Sequence, residues 1–392
     1  MRIGLASLVL AYVLSQFYRA FLAVLTPVLS IDLGATAQDL AFASGVWFIV
    51  FAAMQLPVGW ALDRVGPRRT SAVLLAVGGG GGALLFATAT APLQITLAMA
   101  LIGVGCSPVL MASYYTFARV YSPRVFATLA ASVIGIGSLG NIAGSAPMAW
   151  AVEVFGWRET LLGLAALTFL VAVLLMLTVK DPPQVEGDHK GSVLDLLKMP
   201  ALWLILPLMF VNYAPAAGIR GLWIGPYLTD VFGQGAAGIG RATLAMSLAM
   251  VVANFAYGPL DRLLGTRKWV VLVGNLLGAV ALLALWAQPS GSYLSAVITV
   301  AAIGFFGSSF AVIMAHARSF FPPHLTGRGV TLINLFGIGG VGVFQFITGR
   351  IFATSSATPT DPAAPYATLF LFFAVLLLLG SAIYAFSEDR TD

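Results

Sequence analysis

The sequence predicts an all-α membrane protein, with twelve transmembrane helices arranged as two pseudo-symmetric six-helix bundles. Three observations predict this fold class: the composition, the number of long apolar segments, and a repeat of about half the chain length. Of 392 residues, 59% are hydrophobic and only 9% are charged, whereas soluble proteins carry about 25% charged residues. This composition argues against a soluble enzyme, a nucleic-acid-binding protein and a disordered scaffold. The lipid bilayer is the first expected partner, and no nucleic-acid partner is expected.

Twelve segments are long and apolar enough to cross a bilayer, which takes roughly 20 residues. Charge clusters and Gly/Pro turns separate these segments. Numbered as spans 1 to 12, they cover residues 4–31, 40–61, 70–88, 93–118, 126–150, 160–179, 201–229, 241–259, 269–288, 293–317, 329–349 and 366–386. The longest polar stretch divides the chain into an N-terminal bundle (1–179), a cytoplasmic linker (180–200) and a C-terminal bundle (201–392).

The basic residues orient the chain. With both termini in the cytoplasm, fifteen Lys and Arg residues fall in inner loops and ends and three in outer loops, as the positive-inside rule requires. The compact loops favour a multi-pass protein of a bacterial inner membrane, which we expect to be monomeric. We expect no cofactor and no metal, because no cluster of His and Cys has the spacing of metal ligands. The absence of a Ser/His/Asp set argues against an enzyme.

A repeat relates the two halves. The loop after span 2 reads GWALDRVGPRR, and the loop after span 8 reads GPLDRLLGTRK. Their aspartates, Asp63 and Asp261, are 198 residues apart. Four further pairs recur at offsets of 199 to 201 residues: Arg119 with Arg318, Gln55 with Asn254, Tyr12 with Tyr213, and Arg19 with Arg220. A parallel repeat of two helical bundles is a transporter architecture, in which the site lies between the repeats near the bilayer midplane.

The loop after span 2 resembles the signature loop of the major facilitator superfamily, and the resemblance extends over essentially the whole chain. In that family the loop is implied to act as a cytoplasmic latch, which holds the halves together while the cavity opens outward. Any inner loop collects arginines, but the spacing, the two glycines and the duplication favour the latch. Span 4 lacks the early arginine that many members carry. The residues that match the latch are Gly59, Asp63, Arg64, Gly66, Arg68 and Arg69, with Asp261 and Arg262 in the second copy.

Two arginines fall inside apolar spans, Arg19 in span 1 and Arg220 in span 7. A charge at this depth costs several kcal/mol, so it indicates a functional site. No Asp or Glu lies mid-span to neutralise the pair, and guanidinium groups bind carboxylate and phosphate oxygens bidentately. The pair therefore predicts an anion site, and it resembles the paired arginines of the organophosphate/phosphate exchangers. The alternative is that each arginine bonds backbone carbonyls near Pro and Gly breaks.

Further polar residues are candidates for substrate binding. Tyr12, Gln16 and Arg19 are spaced i, i+4 and i+7, which predicts one helical face. Polar side chains in membrane bundles also bond neighbouring helices, and that alternative applies to each of them. The candidates outside that face are Tyr213, Tyr114, Gln55 and Asn254.

These patterns predict a secondary active transporter that moves a small anion by alternating access. Without an intramembrane carboxylate, exchange of anions is the simplest mechanism. Proton symport is one alternative, since His316 titrates near neutral pH, although a histidine one turn from Arg318 is also explained as a solvated helix-end residue. Efflux of lipophilic compounds is a second alternative. A membrane sensor or assembly factor that retains the fold is a third.

Overall fold

The computed structural model describes residues 2–121, 123–182, 193–322, 326–356 and 361–391, and over these ranges the chain forms helices and no strand. The all-α membrane fold class is confirmed. Within the described ranges, ten helices are long and apolar enough to cross a membrane, and a bent pair of helices makes an eleventh candidate. That pair forms span 1, in which the helices Ile3–Phe17 and Leu22–Leu33 meet at 51°.

The predicted fifth span falls on two helices that are not among these candidates. Pro123–Ala143 ends before a turn at Gly144 and Ser145, and Ala146–Phe155 begins after it. Pro147 stands in the first turn of the second helix, where a missing N–H costs no helical hydrogen bond. The helix is therefore interrupted where the sequence predicts a continuous span.

Two compact units divide the chain. The first comprises Met1–Glu186 and Gly235–Leu244, and the second comprises Gly187–Gln234 and Ala245–Asp392. The predicted boundaries of the bundles and linker stay a prediction, and residues 183–192 of that linker lie outside the described residues. In the first half, spans 2, 3, 4 and 6 occupy Ala37–Arg64, Pro67–Ala87, Pro92–Val120 and Trp157–Thr178. In the second half, spans 7 to 12 occupy Pro200–Phe232, Ala236–Leu264, Lys268–Ala287, Tyr293–Arg318, Gly329–Ser355 and Ala364–Tyr384.

Glycines let helices of the first unit approach each other closely. A Cβ on Gly78 would lie 2.5 Å from the backbone nitrogen of Gly105 in span 4. A Cβ on Gly140 would lie 2.0 Å from the carbonyl oxygen of Val13 in span 1. Both contacts bring backbone against backbone, as small residues do in membrane bundles. The glycine run at 78–82 is thus a packing surface between helices.

Exposed tryptophans lie near the ends of several spans. Trp60 and Trp269 flank the two repeated loops, and Trp203 lies near the start of span 7. Trp150 and Trp286 lie near the predicted outer ends of spans 5 and 9. Tryptophan is enriched at both membrane–water interfaces because its ring is amphipathic. The exposed positions near the span ends therefore fit contact with a membrane–water interface.

Candidate functional site

Arg19 lies in a turn rather than in a helix. The first helix ends at Phe17 and the next begins at Leu22, and the amides of Arg19 and Ala20 bond carbonyls only three residues back. Arg19 therefore lies beyond the end of the helix that carries Tyr12 and Gln16. The turn places a half-buried guanidinium at the bend of a broken span.

An aromatic platform from span 2 holds the Arg19 guanidinium. Its Cζ lies 5.4 Å from the centroid of the Trp47 ring and 4.8 Å from that of Phe51. The two rings are one helical turn apart and stack with centroids 5.1 Å apart and planes at 16°. Cation–π attraction of this kind strengthens when the pair is desolvated, and Trp47 is only 1% exposed. The platform fixes the guanidinium without neutralising it.

Two N–H donors beside this platform lack acceptors. The Nε of Arg19 and the Nε1 of Trp47 are buried, and neither meets a hydrogen-bond acceptor in the part of the chain that the structure describes. A buried donor without a partner costs roughly 1–3 kcal/mol, and more when it is charged. The two N–H groups are therefore suited to an acceptor that the protein itself does not supply.

Tyr12 and Gln16 form a pair next to this turn. The Gln16 amide nitrogen donates to the Tyr12 hydroxyl at 2.6 Å. Tyr12 also packs on span 5, where a Cβ on Gly137 would lie 2.3 Å from its ring. The pair occupies one face of the first helix, and its phenol is fixed by that close contact.

Arg220 occupies the corresponding place in the second unit, and it is only 1% exposed. It lies in a π-helical turn, Ile219–Trp223, and such turns occur frequently at functional sites. Span 11 holds this turn, because the Trp223 indole nitrogen donates to the Gln345 side-chain oxygen and to the Thr348 hydroxyl, both at 3.0 Å. The Gln345 amide nitrogen lies 3.5 Å from the Gly218 carbonyl oxygen. Side chains of span 11 thus contact the chain at both ends of the turn that carries Arg220.

The remaining predicted binding residues have varied surroundings. Gln55 is buried and donates to the Phe51 carbonyl at 3.1 Å, and it lies 3.5 Å from the Ser107 carbonyl of span 4. Its repeat partner Asn254 is exposed. Tyr213 lies between two helices of span 7, with its ring 5.6 Å from that of Phe310. Tyr114 is half-buried in span 4. Gln55 joins helices within its own unit, as polar residues in membrane bundles often do.

The first predicted latch loop is bound by an aspartate that follows span 6. Asp181 accepts a hydrogen bond from the backbone N–H of Arg68 at 2.9 Å and lies 3.6 Å from its guanidinium Nε. Gly66 has φ +94°, and a Cβ there would lie 2.6 Å from a carboxylate oxygen of Asp181. Asp63 forms a second ion pair, with Arg119 of span 4 at 3.6 Å.

The second copy of the loop repeats this arrangement. Asp389, which follows span 12, accepts hydrogen bonds from the backbone N–H groups of Arg267 at 3.1 Å and Lys268 at 3.0 Å, and another from the Thr266 hydroxyl. Asp261 pairs with the Arg267 Nε at 3.2 Å. Burial raises the pKa of Asp389, but the hydrogen bonds from Thr266, Lys268 and Arg267 outweigh it and hold the pKa below its ordinary value of 3.8.

Four other latch residues have different surroundings. Arg64 is exposed, with its Cζ 6.0 Å from the Trp60 ring. Arg69 and Arg262 are exposed. A Cβ on Gly59 would meet no atom within 4 Å. Sequence reasoning missed Asp181 and Asp389; the signal for both is an acidic residue a few positions after the last span of each half.

His316 is fully buried, so the expectation of a solvated helix-end residue is wrong. Its Nε2 lies 2.9 Å from the backbone carbonyl oxygen of Glu388, and its Nδ1 lies 2.6 Å from the Tyr384 hydroxyl. Because a carbonyl oxygen only accepts, Nε2 donates, and Nδ1 of the neutral ring accepts from Tyr384. The end of span 12 and the chain that follows it use both nitrogens of the histidine.

A family model described as Major Facilitator Superfamily matches residues 8–233 and 205–392. The chain belongs to the Major Facilitator Superfamily. Membership in the superfamily confirms the resemblance that the repeated loop carries, and it indicates a multi-pass transporter rather than an enzyme. No curated protein matches this sequence.

Three solved superfamily structures illustrate the shared fold. A bacterial homologue of the human lysosomal transporter Spinster has a TM-score of 0.77 at 19% identity, covering 97% of this chain and 95% of its own. A D-xylose-proton symporter has a TM-score of 0.80 at 13% identity, and the match covers 98% of this chain and 97% of the symporter. The nucleoside transporter NupG has a TM-score of 0.75 at 14% identity, and the match covers 97% of this chain and 98% of NupG. At these identities the likeness shows the fold alone, and the likeness to the organophosphate exchangers stays a prediction.

Proposed function

We propose that this protein is a secondary active transporter of a small anion, with Arg19 and Arg220 as the cationic groups of its site. One observation carries the proposal: the Nε of Arg19 and the indole nitrogen of Trp47 are buried donors that meet no acceptor among the described residues. An anion supplies both the missing acceptor and the missing negative charge. Tyr12, Gln16, Tyr213, Tyr114, Gln55 and Asn254 stay candidate contacts for it.

The acidic residues near the outer span ends have other partners. Asp32 accepts from the Trp157 indole nitrogen at 2.7 Å, and Asp230 accepts from the Tyr366 hydroxyl. Asp39 caps its own helix through Thr36. A buried arginine is usually paired with a carboxylate or bonded to backbone carbonyls. For Arg19, a ligand carboxylate or phosphate is the partner that we propose.

Exchange is the mechanism that we infer. A cationic site in a low-dielectric interior resists reorientation when it is empty, because moving an uncompensated charge through the bilayer is costly. A bound anion neutralises the site and lowers that cost. Release of one anion on one side would then be coupled to uptake of another, in a monomer of the bacterial inner membrane with both termini in the cytoplasm.

The repeated loops are proposed as the cytoplasmic latch. Asp63 already forms an ion pair with Arg119 inside the first unit. If the loop controls reorientation, Asp63→Asn slows the maximal rate of exchange and leaves the substrate KM unchanged. A raised KM with an unchanged maximal rate would contradict the latch role.

Counterflow in proteoliposomes tests the proposed function. Vesicles are preloaded with phosphate, nitrate, benzoate or succinate, and uptake of the same labelled anion is followed for wild type, Arg19→Lys and Arg220→Lys. Lysine keeps the charge but loses the planar fork of donors. We expect preloading to stimulate uptake of at least one anion, and both variants to require a higher anion concentration for it. Full uptake by both variants would contradict the arginine site, and uptake indifferent to preloading would contradict exchange.

A further inference from the structure

We infer that the transported anion is a monocarboxylate with an apolar body, rather than a phosphate, nitrate or other inorganic oxyanion. This inference rests on the proposed function and narrows it. It follows from the donors that Arg19 and Trp47 present and from the rings that surround them.

The first step concerns the side of Arg19 that a ligand can reach. The rings of Trp47 and Phe51, whose centroids lie 5.4 and 4.8 Å from the Arg19 Cζ, occupy one side of the guanidinium. The N–H groups point outward in the plane of the group, and the Nε–H among them meets no acceptor in the described chain. In-plane N–H groups of arginine match the two coplanar oxygens of a carboxylate.

The second step concerns the number of charges and donors. The aromatic platform of span 2 adds one further N–H, from Trp47, and no further charge. A carboxylate has two oxygens that accept several hydrogen bonds and carries one negative charge. A phosphate ester carries a charge of about −1.5 to −2 and three acceptor oxygens at pH 7. At the Arg19 end of the proposed site, one guanidinium charge and two unpartnered buried N–H groups match the single charge and the two oxygens of a carboxylate.

The third step concerns the rings around the charge. Trp47 packs edge-on against Phe48 at 4.8 Å, in addition to its stack with Phe51. Phe17 and Phe21, which bracket the turn of Arg19, stack at 5.9 Å. These aromatic surroundings of Arg19 favour an apolar ligand body, because they replace none of the hydrogen bonds that a strongly hydrated inorganic anion loses.

Thermal stability of the purified wild-type protein in detergent tests this substrate class, since a ligand that binds the folded state raises the melting temperature. The probes are acetate, butyrate, hexanoate, benzoate, inorganic phosphate and nitrate. We expect the apparent Kd to fall about fourfold for each added CH₂ of the aliphatic acids. Benzoate should bind more tightly than acetate. Tighter binding of phosphate or nitrate than of hexanoate and benzoate would overturn the inference.

Variants separate the role of the indole N–H from a structural role. Trp47→Phe keeps a ring and removes the N–H, so we expect the KM for benzoate counterflow to rise about tenfold with an unchanged maximal rate. Trp157→Phe is the matched control, because that indole already bonds Asp32 at 2.7 Å. The control should lower the melting temperature and leave the KM unchanged. An unchanged KM in Trp47→Phe would contradict the assignment.

The failure of this inference is distinguishable from that of the proposed function. Counterflow of phosphate or nitrate that is lost in Arg19→Lys, without any effect of benzoate or hexanoate, overturns the monocarboxylate and leaves the anion site intact. Counterflow with an unchanged KM in Arg19→Lys for every anion overturns both.

Discussion

Asp181 accepts a hydrogen bond from the backbone N–H of Arg68 at 2.9 Å, so the chain that follows span 6 caps the helix that begins span 3. Asp389 does the same for the helix that begins span 9. Free N–H groups at a helix start favour a negative side chain. Each half thus binds its own copy of the repeated loop with an aspartate from its own end.

Removing the first of these caps should destabilise the protein. Asp181→Ala removes both the cap and the ion pair with Arg68, which lies 3.6 Å away and is partly exposed. We expect a loss of about 1 kcal/mol in the free energy of unfolding. Asp195→Ala is the control, since Asp195 contacts the exposed Lys198 three residues later. Equal melting temperatures for the two variants would contradict the capping role.

The second cap should give a pH-dependent stability. Because the pKa of Asp389 is lower in the folded chain than its ordinary value of 3.8, the ionised carboxyl stabilises the fold above that value. This contribution is lost as the pH falls below 3.8 and through the folded-state pKa. Asp389→Asn should therefore melt below wild type at pH 7, and the difference should shrink toward pH 3. A difference that stays constant over this range would contradict the assignment.

Two glycines of the same loop should respond differently to alanine. Gly66 has φ +94°, and a Cβ there would lie 2.6 Å from Asp181. Gly59 is helical and has open space around it. Gly66→Ala should cost about 1–3 kcal/mol through backbone strain and displacement of the carboxylate. Gly59→Ala should be neutral or slightly stabilising, because alanine favours a helix. The melting temperatures of the two variants test this prediction, and equal values would contradict it.

His316 should matter for stability more than for coupling. His316→Gln disturbs the hydrogen bonds to Glu388 and Tyr384, and we expect a loss of roughly 1–3 kcal/mol because buried partners lose their bonds. Counterflow between pH 6 and 8 should persist in the variant and should not need a pH gradient. If wild-type uptake requires the gradient and the variant abolishes it, proton symport replaces exchange.

Sequence periodicity and repetition predicted the fold class and the positions of both repeated loops. They did so because apolar length and repeated spacing are properties of the chain itself. The turn at Arg19 was not predictable in this way, since neither Pro nor Gly occurs between Tyr18 and Phe21. The interruption of span 5 is marked in the sequence by the Gly144–Pro147 segment. The long apolar run around this segment nevertheless led to the prediction of one continuous span.

The site itself was predicted only in part. Two intramembrane arginines are visible in the sequence, whereas the platform under Arg19 depends on packing between spans 1 and 2. Asp181 lies 113 residues from Arg68, so no local pattern connects them. The burial of His316 depends on the fold of the chain that follows span 12. These are tertiary contacts, which spacing along one chain does not encode.

The measurement that tests the anion site most directly is the concentration dependence of counterflow for wild type, Arg19→Lys and Arg241→Lys. Arg241 is exposed at the start of span 8 and controls for a change of arginine to lysine as such. We predict a KM at least about tenfold higher in Arg19→Lys, because a charge-assisted hydrogen bond contributes roughly 1.5–3 kcal/mol, and an unchanged KM in Arg241→Lys. Equal KM values for Arg19→Lys and wild type would contradict the account.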